Sequence, residues 1–305
     1  MRSKDFILAL CVVIIWGVNF VVIKVGLDDI PPFLLASLRF ALVAFPACLF
    51  IRRPAVPFKW LLAYGLTISF GQFAFLFLSI KLGMPAGLAS LILQAQVFFT
   101  LLFGALFLRE SLRWYNIAGL LIAVCGMIFL AEHSLTGTGT VGMPLIALLF
   151  TLAAAVCWGL GNITNKVIMR HYPVPAMSLV VWSAFIPLLP FMLCSWWFDG
   201  IDTIQYSLTH FSFTGVFAVI YLSLLSTIIG YGLWGSLLAR YETSRVAPMA
   251  LLVPVAGIFS AALLLHESMS PAQISGIVVI IAGLLVNTFA GKLQQRLTGN
   301  LTNNR

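Results

Sequence analysis

Three cations stand within otherwise apolar stretches of this chain: Lys24, Arg39 and Lys166. A charge in such a stretch is costly, so each is a candidate for attracting an anionic group or for gating a path. For Lys24 and Lys166 the competing reading is snorkelling of the ammonium to a lipid headgroup. Arg39 lies about six residues into its stretch, about 9 Å deep at 1.5 Å per residue. It reads equally as a hydrogen-bonding hub for helix packing and as a gate or solute-binding residue.

Uncharged polar residues recur at helical spacing around these cations. Trp158, Gly161, Asn162 and Asn165 fall on one face at 100° per residue, and Trp16, Asn19, Phe20 and Ile23 form the matching face of an earlier segment. Gly65, Ser69, Gln72 and Ser79 make a third stripe, and Ser223, Thr227, Gly230 and Trp234, with Tyr231 alongside, a fourth. Gln94 and Gln96 are about 200° apart on a helix. Gln94, in line with Ser90 and Gly87, is the one expected to face inward. Amides and hydroxyls turned to lipid are costly, so the stripes face a shared interior or bond between helices. Such groups bind and release a small polar solute. A zwitterion's carboxylate would use amide donors or one of the three cations. Its ammonium would use carbonyls, amide oxygens and the faces of Trp16, Trp158, Trp234 or Tyr231. Pro85, Pro248 and Pro254, at or within predicted helices, read as hinges or as packing kinks.

Catalysis finds little support in the same residues. All nine Asp and Glu and all four His fall in predicted loops or at interfaces. His266-Glu267 lacks the second His of a zinc-binding HExxH, and no Ser or Cys shares a predicted helix with a His. Cys11, Cys48, Cys125, Cys157 and Cys194 lie in apolar runs without a CxxC and read as core thiols. No metal and no cofactor is expected, and an intramembrane enzyme is disfavoured. Without a carboxylate in the bilayer centre, no proton relay of that kind is expected either. Export then runs down the solute's own gradient or couples through an interfacial group.

The elements that must position these groups follow from composition. Of the 305 residues 61% are hydrophobic and only 9% charged, and the mean hydropathy is +1.07. Soluble domains carry about 25% charged residues, so the apolar surface must face lipid. The net charge of +8 comes from scattered Lys and Arg with no aromatic-lined basic stripe, so no nucleic-acid partner is expected. Ten segments approach the about 20 apolar residues of a membrane helix: 6–26, 33–51, 60–80, 85–108, 114–131, 143–169, 175–198, 213–238, 244–265 and 271–291. The first is too long for a signal peptide core and lacks a cleavage site, so it is expected to be retained. The longest connections are 133–142 and 199–212. With the N-terminus inside, Arg2, Lys4, Arg52, Arg53, Lys59, Arg109, Arg113, Arg170, Arg240, Arg245, Lys292, Arg296 and Arg305 all fall inside, and only Lys81 outside. Both ends are therefore expected to be cytoplasmic.

The chain also repeats itself. Trp16-Gly17 with Lys24-Val25 returns as Trp158-Gly159 with Lys166-Val167, 142 residues on. Leu108-Arg109-Glu110-Ser111 returns as Leu265-His266-Glu267-Ser268, 157 residues on, bringing Gly119 onto Gly276 and Gly126 onto Gly283. Five spans per unit is an odd number, so the second unit enters the membrane inverted, as in carriers that rock two halves about a midplane site. The units are 1–132 and 143–291, with 292–305 a frayed cytoplasmic tail. The paired glycines make the fifth and tenth spans a scaffold or a dimer seam.

Residues 16–27, Leu38-Arg39-Phe40, Gly87-Leu-Ala-Ser90, Gln94-Ala-Gln96, Leu108-Arg-Glu110 and Arg240-Tyr-Glu-Thr-Ser-Arg-Val-Ala-Pro248 carry a resemblance over nearly the whole chain. The chain resembles the EamA family of the drug/metabolite transporter superfamily. That resemblance implies an all-α integral membrane protein of ten helices in two inverted repeats. It also implies a bacterial inner-membrane exporter of small amino-acid metabolites, of the cysteine and O-acetylserine class. The expected partners are that solute and membrane lipid; monomer and homodimer are both compatible. A carrier of drugs or aromatic amino acids is the alternative. A nucleotide-sugar carrier would need more cations around one cavity to hold phosphates.

Overall fold

Inside lipid a helix satisfies all its own backbone groups, and apolar segments of this length have no other stable form. The computed structural model describes residues 2–135, 143–241 and 246–302; among them the regular structure is helical, with no strand. The connection 136–142 and residues Glu242, Arg245 and Arg305 lie outside the described residues. Ten principal helices follow one another: α1 (Ser3–Asp29), α2 (Pro32–Cys48), α3 (Phe58–Lys81), α4 (Ala86–Leu108), α5 (Trp114–Leu135), α6 (Leu145–His171), α7 (Ala176–Asp199), α8 (Phe213–Leu237), α9 (Met249–Leu265) and α10 (Pro271–Thr302). By length and composition seven can cross a membrane, whereas α2, α9 and the apolar part of α5 are shorter. At 17 residues α2 sits at the lower limit for a span.

Two expectations at the ends of helices are corrected. The stretch expected to be a loop between α7 and α8 holds a helix, Ile201–Thr209, which buries Ile204 and Ser207 after Gly200 (φ 78°) turns the chain. The tail expected to fray continues α10 as helix to Thr302. Interiors are less regular than the hydropathy suggests. Gly65–Gly71 in α3 and Tyr221–Ile229 in α8 are wound as π-helix, at nearly the repeat offset. Leu93–Ala95 in α4 and Ala247–Leu251 entering α9 are 3₁₀ turns, again at matching positions. Helix α7 is interrupted between Ser183 and Leu188, where Pro187 has no N–H to donate.

Packing follows the repeat. Helix α1 lies on α9 and α6 lies on α4, so each repeat's first helix is held by the other repeat's fourth. Gly17 makes the first contact possible. A Cβ there would stand 2.5 Å from Ala256 Cβ and 2.9 Å from the Gly257 nitrogen. Gly159, its repeat mate, meets Phe99 Cβ at 2.8 Å in the same way. Helices α5 and α10 pair with each other, Gly119 against Gly283, with an Asn116 Nδ2–Asn287 Oδ1 hydrogen bond of 2.7 Å. Their glycine faces are thus engaged within the chain, as a scaffold; this face is not an outward dimer seam.

The ends of α4 and α9 are built alike. Arg109 (φ 54°) and His266 (φ 53°) close their helices in the left-handed region. The next residue's amide then bonds back, Glu110 to the Gly104 carbonyl at 3.1 Å and Glu267 to the Ala261 carbonyl at 3.3 Å. Both turns aim a glutamate back over the bundle.

Candidate functional site

Mid-bundle, the helices enclose a cavity of about 370 Å³. Residues of α1 to α4 and α6 to α9 line it and, among the described residues, none from α5 or α10. The lining comes from the middle of the helices and from the half nearer the face that bears the N-terminus, here called the terminal face. Met169, Met177 and Gly235 mark that end, and toward the opposite face the described lining stops at Leu76 and Ser90, about a turn short of the helix ends.

Most of the residues singled out by spacing meet here: Trp16, Asn19, Gln72, Ser90, Gln94, Trp158, Asn162, Asn165, Tyr231 and Trp234, together with Arg39. Trp16 is fixed by donating Nε1–H to the Ser226 carbonyl at 3.0 Å, and its ring lies 5.3 Å from those of Tyr231 and Trp234. Asn162 donates to Gln96 Oε1 at 2.8 Å and to Thr100 Oγ1 at 3.0 Å. Ser90 donates to the Gly87 carbonyl at 2.6 Å, and Gln94 donates to the Ala250 carbonyl at 3.4 Å. Gln96 lines the cavity as well as Gln94, which corrects the choice between them. The 3₁₀ turn at Leu93–Ala95 breaks the 100° step on which that choice rested.

The stripes of α3 and α8 divide for the same kind of reason. Across the π-helical turns the residue-to-residue rotation changes. Gln72 reaches the main cavity, whereas Ser69 and Thr227 line a smaller recess beside it. Ser79 instead joins α3 to α6, donating to the Ala147 carbonyl at 2.6 Å and lying 2.7 Å from Thr151 Oγ1. Gly161 packs on Ile68, and Gly230 faces the Trp16 indole.

Arg39 is 2% exposed, so its head is held inside the bundle. It stands over the Phe73 ring at 4.1 Å and donates Nη2–H to Thr227 Oγ1 at 3.0 Å. Its Nε and Nη1 have no hydrogen-bond partner, and neither do Asn19 Oδ1, Gln72 Oε1 and Asn165 Oδ1. Among the described residues, these buried orphan atoms all belong to residues of the cavity wall. Among the described residues, no Asp or Glu is in that wall. Asp5, expected in a loop or at an interface, is buried in the first turn of α1 and faces Arg240 and Tyr241, each at 2.7 Å, at the terminal face.

Lys24 and Lys166 do not line the cavity. Each meets a glutamate of the other repeat, Lys24 with Glu267 at 2.8 Å and Lys166 with Glu110 at 2.6 Å. The carboxylates they attract are the protein's own, and neither ammonium snorkels unpaired. The pairs sit at opposite faces and are not equal. Glu267 is 10% exposed and also accepts from the amides of Ala86 at 2.9 Å and Gly87 at 3.2 Å, at the start of α4. Glu110 is 36% exposed and is shared with Arg170 at 3.0 Å.

The hydrogen bond from Lys166 is the main reason the Glu110 carboxyl titrates below its ordinary value of 4.5, with partial burial opposing. A lowered value in the folded state means stabilisation that is complete above pH 4.5 and is lost as pH falls through the lowered value. The thermal midpoint of Glu110→Gln should therefore lie below that of the parent at pH 6 to 7. The gap should close on acidification below about pH 4. A gap independent of pH between 7 and 3.5 would exclude this charge pair as its source.

The prolines differ from one another. Pro85 caps α4 from outside, with ψ 137°. Pro248 lies in the 3₁₀ turn before α9, and Pro254 is buried inside α9. Sequence spacing gave no sign of Tyr64, Ile68, Leu76, Met169, Met177 or Val180 in the wall. Apolar residues have the same look whether they face lipid, protein or a cavity. The break in α7 is legible in the sequence at Pro187.

Comparison with known proteins agrees with this architecture. The model of the EamA-like transporter family matches residues 4–131 and 145–289, one match per repeat. A probable amino-acid metabolite efflux pump of Salmonella typhimurium is 55% identical over 97% of this chain and 98% of its own length. The like-named protein of Escherichia coli is 54% identical over 95% and 96%. A probable terminal-alkyne amino-acid exporter of Streptantibioticus cattleyicolor is 27% identical over 90% of each chain. A solved structure, described only as the crystal structure of a protein, superposes with a TM-score of 0.64 at 21% identity, covering 97% of this chain and 100% of its own; it shares the fold. With two related halves enclosing one cavity, and a family match over both halves, this chain belongs to the EamA-like transporter family.

Proposed function

We propose that this protein exports small amino-acid metabolites of the cysteine and O-acetylserine class across the bacterial inner membrane, with both termini in the cytoplasm. The observation that carries the reading is the set of orphan atoms around the cavity. One guanidinium edge and three amide oxygens, buried and unpartnered, are what a solute with one carboxylate and one ammonium satisfies. The names of the two relatives above 50% identity point to the same cargo class. The substrate-binding set is Trp16, Asn19, Gln72, Ser90, Gln94, Trp158, Asn162, Asn165, Tyr231 and Trp234, with Ser69 and Thr227 behind Arg39.

Transport proceeds by rocking of the units 1–132 and 143–291 about this cavity. Lys24 with Glu267 and Lys166 with Glu110 gate the two faces in turn. Pro85, Pro248 and Pro254 lie where α4 and α9 bend during exchange. The cavity extends toward the terminal face, which makes this conformation the cytoplasm-facing one. With no carboxylate among the described residues of the cavity wall, export runs down the solute's gradient or couples through the interfacial glutamates.

The test is a panel of solutes in cells overproducing the chain, read as extracellular accumulation and tolerance. Cysteine and O-acetylserine should accumulate outside several-fold over cells carrying the Trp158→Ala variant, and a neutral sugar should not. The Trp16, Tyr231 and Trp234 rings favour an aromatic amino acid or drug as the alternative cargo, so phenylalanine belongs in the panel. No change for any amino acid would end the export reading.

A further inference from the structure

Arg39 borders two spaces. One is the main cavity. The other is a recess of about 30 Å³ between α2, α3, α7 and α8, whose polar wall is Arg39, Tyr64, Ser69, Ser183, Thr227 and Tyr231. Arg39, Tyr64 and Tyr231 line both, so the recess adjoins the cavity through them. Its size is on the order of one water's share of liquid volume, room for one compact polar group. A guanidinium carries five N–H donors, and Thr227 takes one of Arg39's. Among the described residues, ion pairs engage Lys24, Lys166, Arg170 and Arg240, but none engages Arg39. A buried charge without a counter-ion is strongly unfavourable, and the Phe73 face offsets only part of it. Around it stand five hydroxyl-bearing side chains and, among the described residues, no acid; Thr227 and Ser183 donate to backbone carbonyls, which leaves Tyr64, Ser69 and Tyr231 to face an anion. The π-helical turns of α3 and α8 create the place, because they rotate Ser69 and Thr227 behind the guanidinium and out of the main cavity.

We propose that this recess is the carboxylate subsite of the carrier. The cargo's carboxylate enters it as the counter-ion that Arg39 lacks. The ammonium stays in the main cavity against the amide oxygens of Asn19, Gln72 and Asn165. The protein therefore selects amino acids over their esters and over the amines left by decarboxylation. This rests on the export reading above and goes further, in assigning the carboxylate to Arg39 and not to either lysine.

The test uses the full chain in proteoliposomes under reducing conditions, with saturable efflux of radiolabelled cysteine as readout. Competitors are cysteine, cysteine methyl ester (carboxylate masked) and cysteamine (carboxylate removed), with protein-free vesicles to correct for leakage. In the parent protein, cysteine should compete at concentrations roughly tenfold to a hundredfold below those of the ester and the amine, as expected for charge-assisted hydrogen bonds. In Arg39→Gln the apparent affinity for cysteine should fall by about that factor and the ratio collapse toward one, with Arg39→Lys intermediate. Tyr231→Phe and Ser69→Ala keep the charge and should lower the ratio a few-fold, which serves if Arg39→Gln does not fold. Equal competition by cysteamine and cysteine in the parent, or an unchanged ratio in Arg39→Gln, overturns the subsite and leaves the export reading standing. No saturable efflux from the parent of cysteine, of O-acetylserine or of any other amino acid in the panel overturns the export reading itself, and the subsite with it.

Discussion

Glu267→Gln should open the face remote from the termini, shifting the conformational balance about 10- to 100-fold toward access from that side. Glu267 holds three elements at one point. Its carboxylate pairs with Lys24 of α1 and accepts two amides at the start of α4, while it is carried on the turn after α9. The start of a helix favours a negative charge, and so does the ammonium beside it. Hydrogen bonds to a charged group are each worth about 1.5–3 kcal/mol, and about 1.4 kcal/mol is a factor of ten in a two-state balance. The check is the labelling rate of a single cysteine placed at Leu76, in the cavity wall, by an impermeant maleimide added from the remote face. Faster labelling in the variant is the expected result, and an unchanged rate would remove Glu267 as a latch. Exchanging the two charges, Lys24→Glu with Glu267→Lys, should not restore closure. The pair would return, but a cation would then face the amides of Ala86 and Gly87. The same change at Glu110 should act less, since that residue is more exposed and its described partners are two half-exposed cations.

Gly283→Val should cost about 3 kcal/mol of stability, the upper part of the range for overpacking. A Cβ at this position would lie 2.6 Å from the Gly119 carbonyl oxygen and 2.7 Å from the Ala123 nitrogen. Both are backbone atoms, so no rotamer change relieves the contact and α5 and α10 must separate. Gly235→Ala is the control, because nothing lies within 4 Å of a Cβ there. Thermal midpoints of the purified variants, followed by loss of the monodisperse peak in size exclusion, decide the matter. Equal midpoints for Gly283→Val and the parent would mean that this helix pair is not closely packed.

The repeat was legible because it is written in residue types with strong local meaning. Trp-Gly, the following lysine and the Arg-Glu and His-Glu turns mark matching places, and α1 and α6 follow them with equivalent contacts at Gly17 and Gly159. The cavity-lining residues Trp16, Asn19 and Phe20 of α1 and Trp158, Asn162 and Asn165 of α6 were legible too, since both helices keep regular α geometry through the cavity and a 100° step holds along them. The same step misplaced residues of α3, α4 and α8. There π and 3₁₀ turns interrupt the winding, and nothing in local propensity announces them.

Hydropathy and charge by themselves determined that the chain lies in lipid as ten helices, because an unpaired backbone in hydrocarbon leaves no alternative and the loops carry the charge. They also determined that any solute must be met by amides, hydroxyls, rings and a few cations, since the predicted interior holds no acid. Tertiary structure alone decided what each cation does. Lys24, Arg39 and Lys166 look alike along the chain, but a charge acts through whatever stands within a few ångströms of it. Those neighbours arrive from residues far away in sequence: Glu267 at Lys24, Glu110 at Lys166, and at Arg39, among the described residues, Thr227, aromatic faces and the cavity.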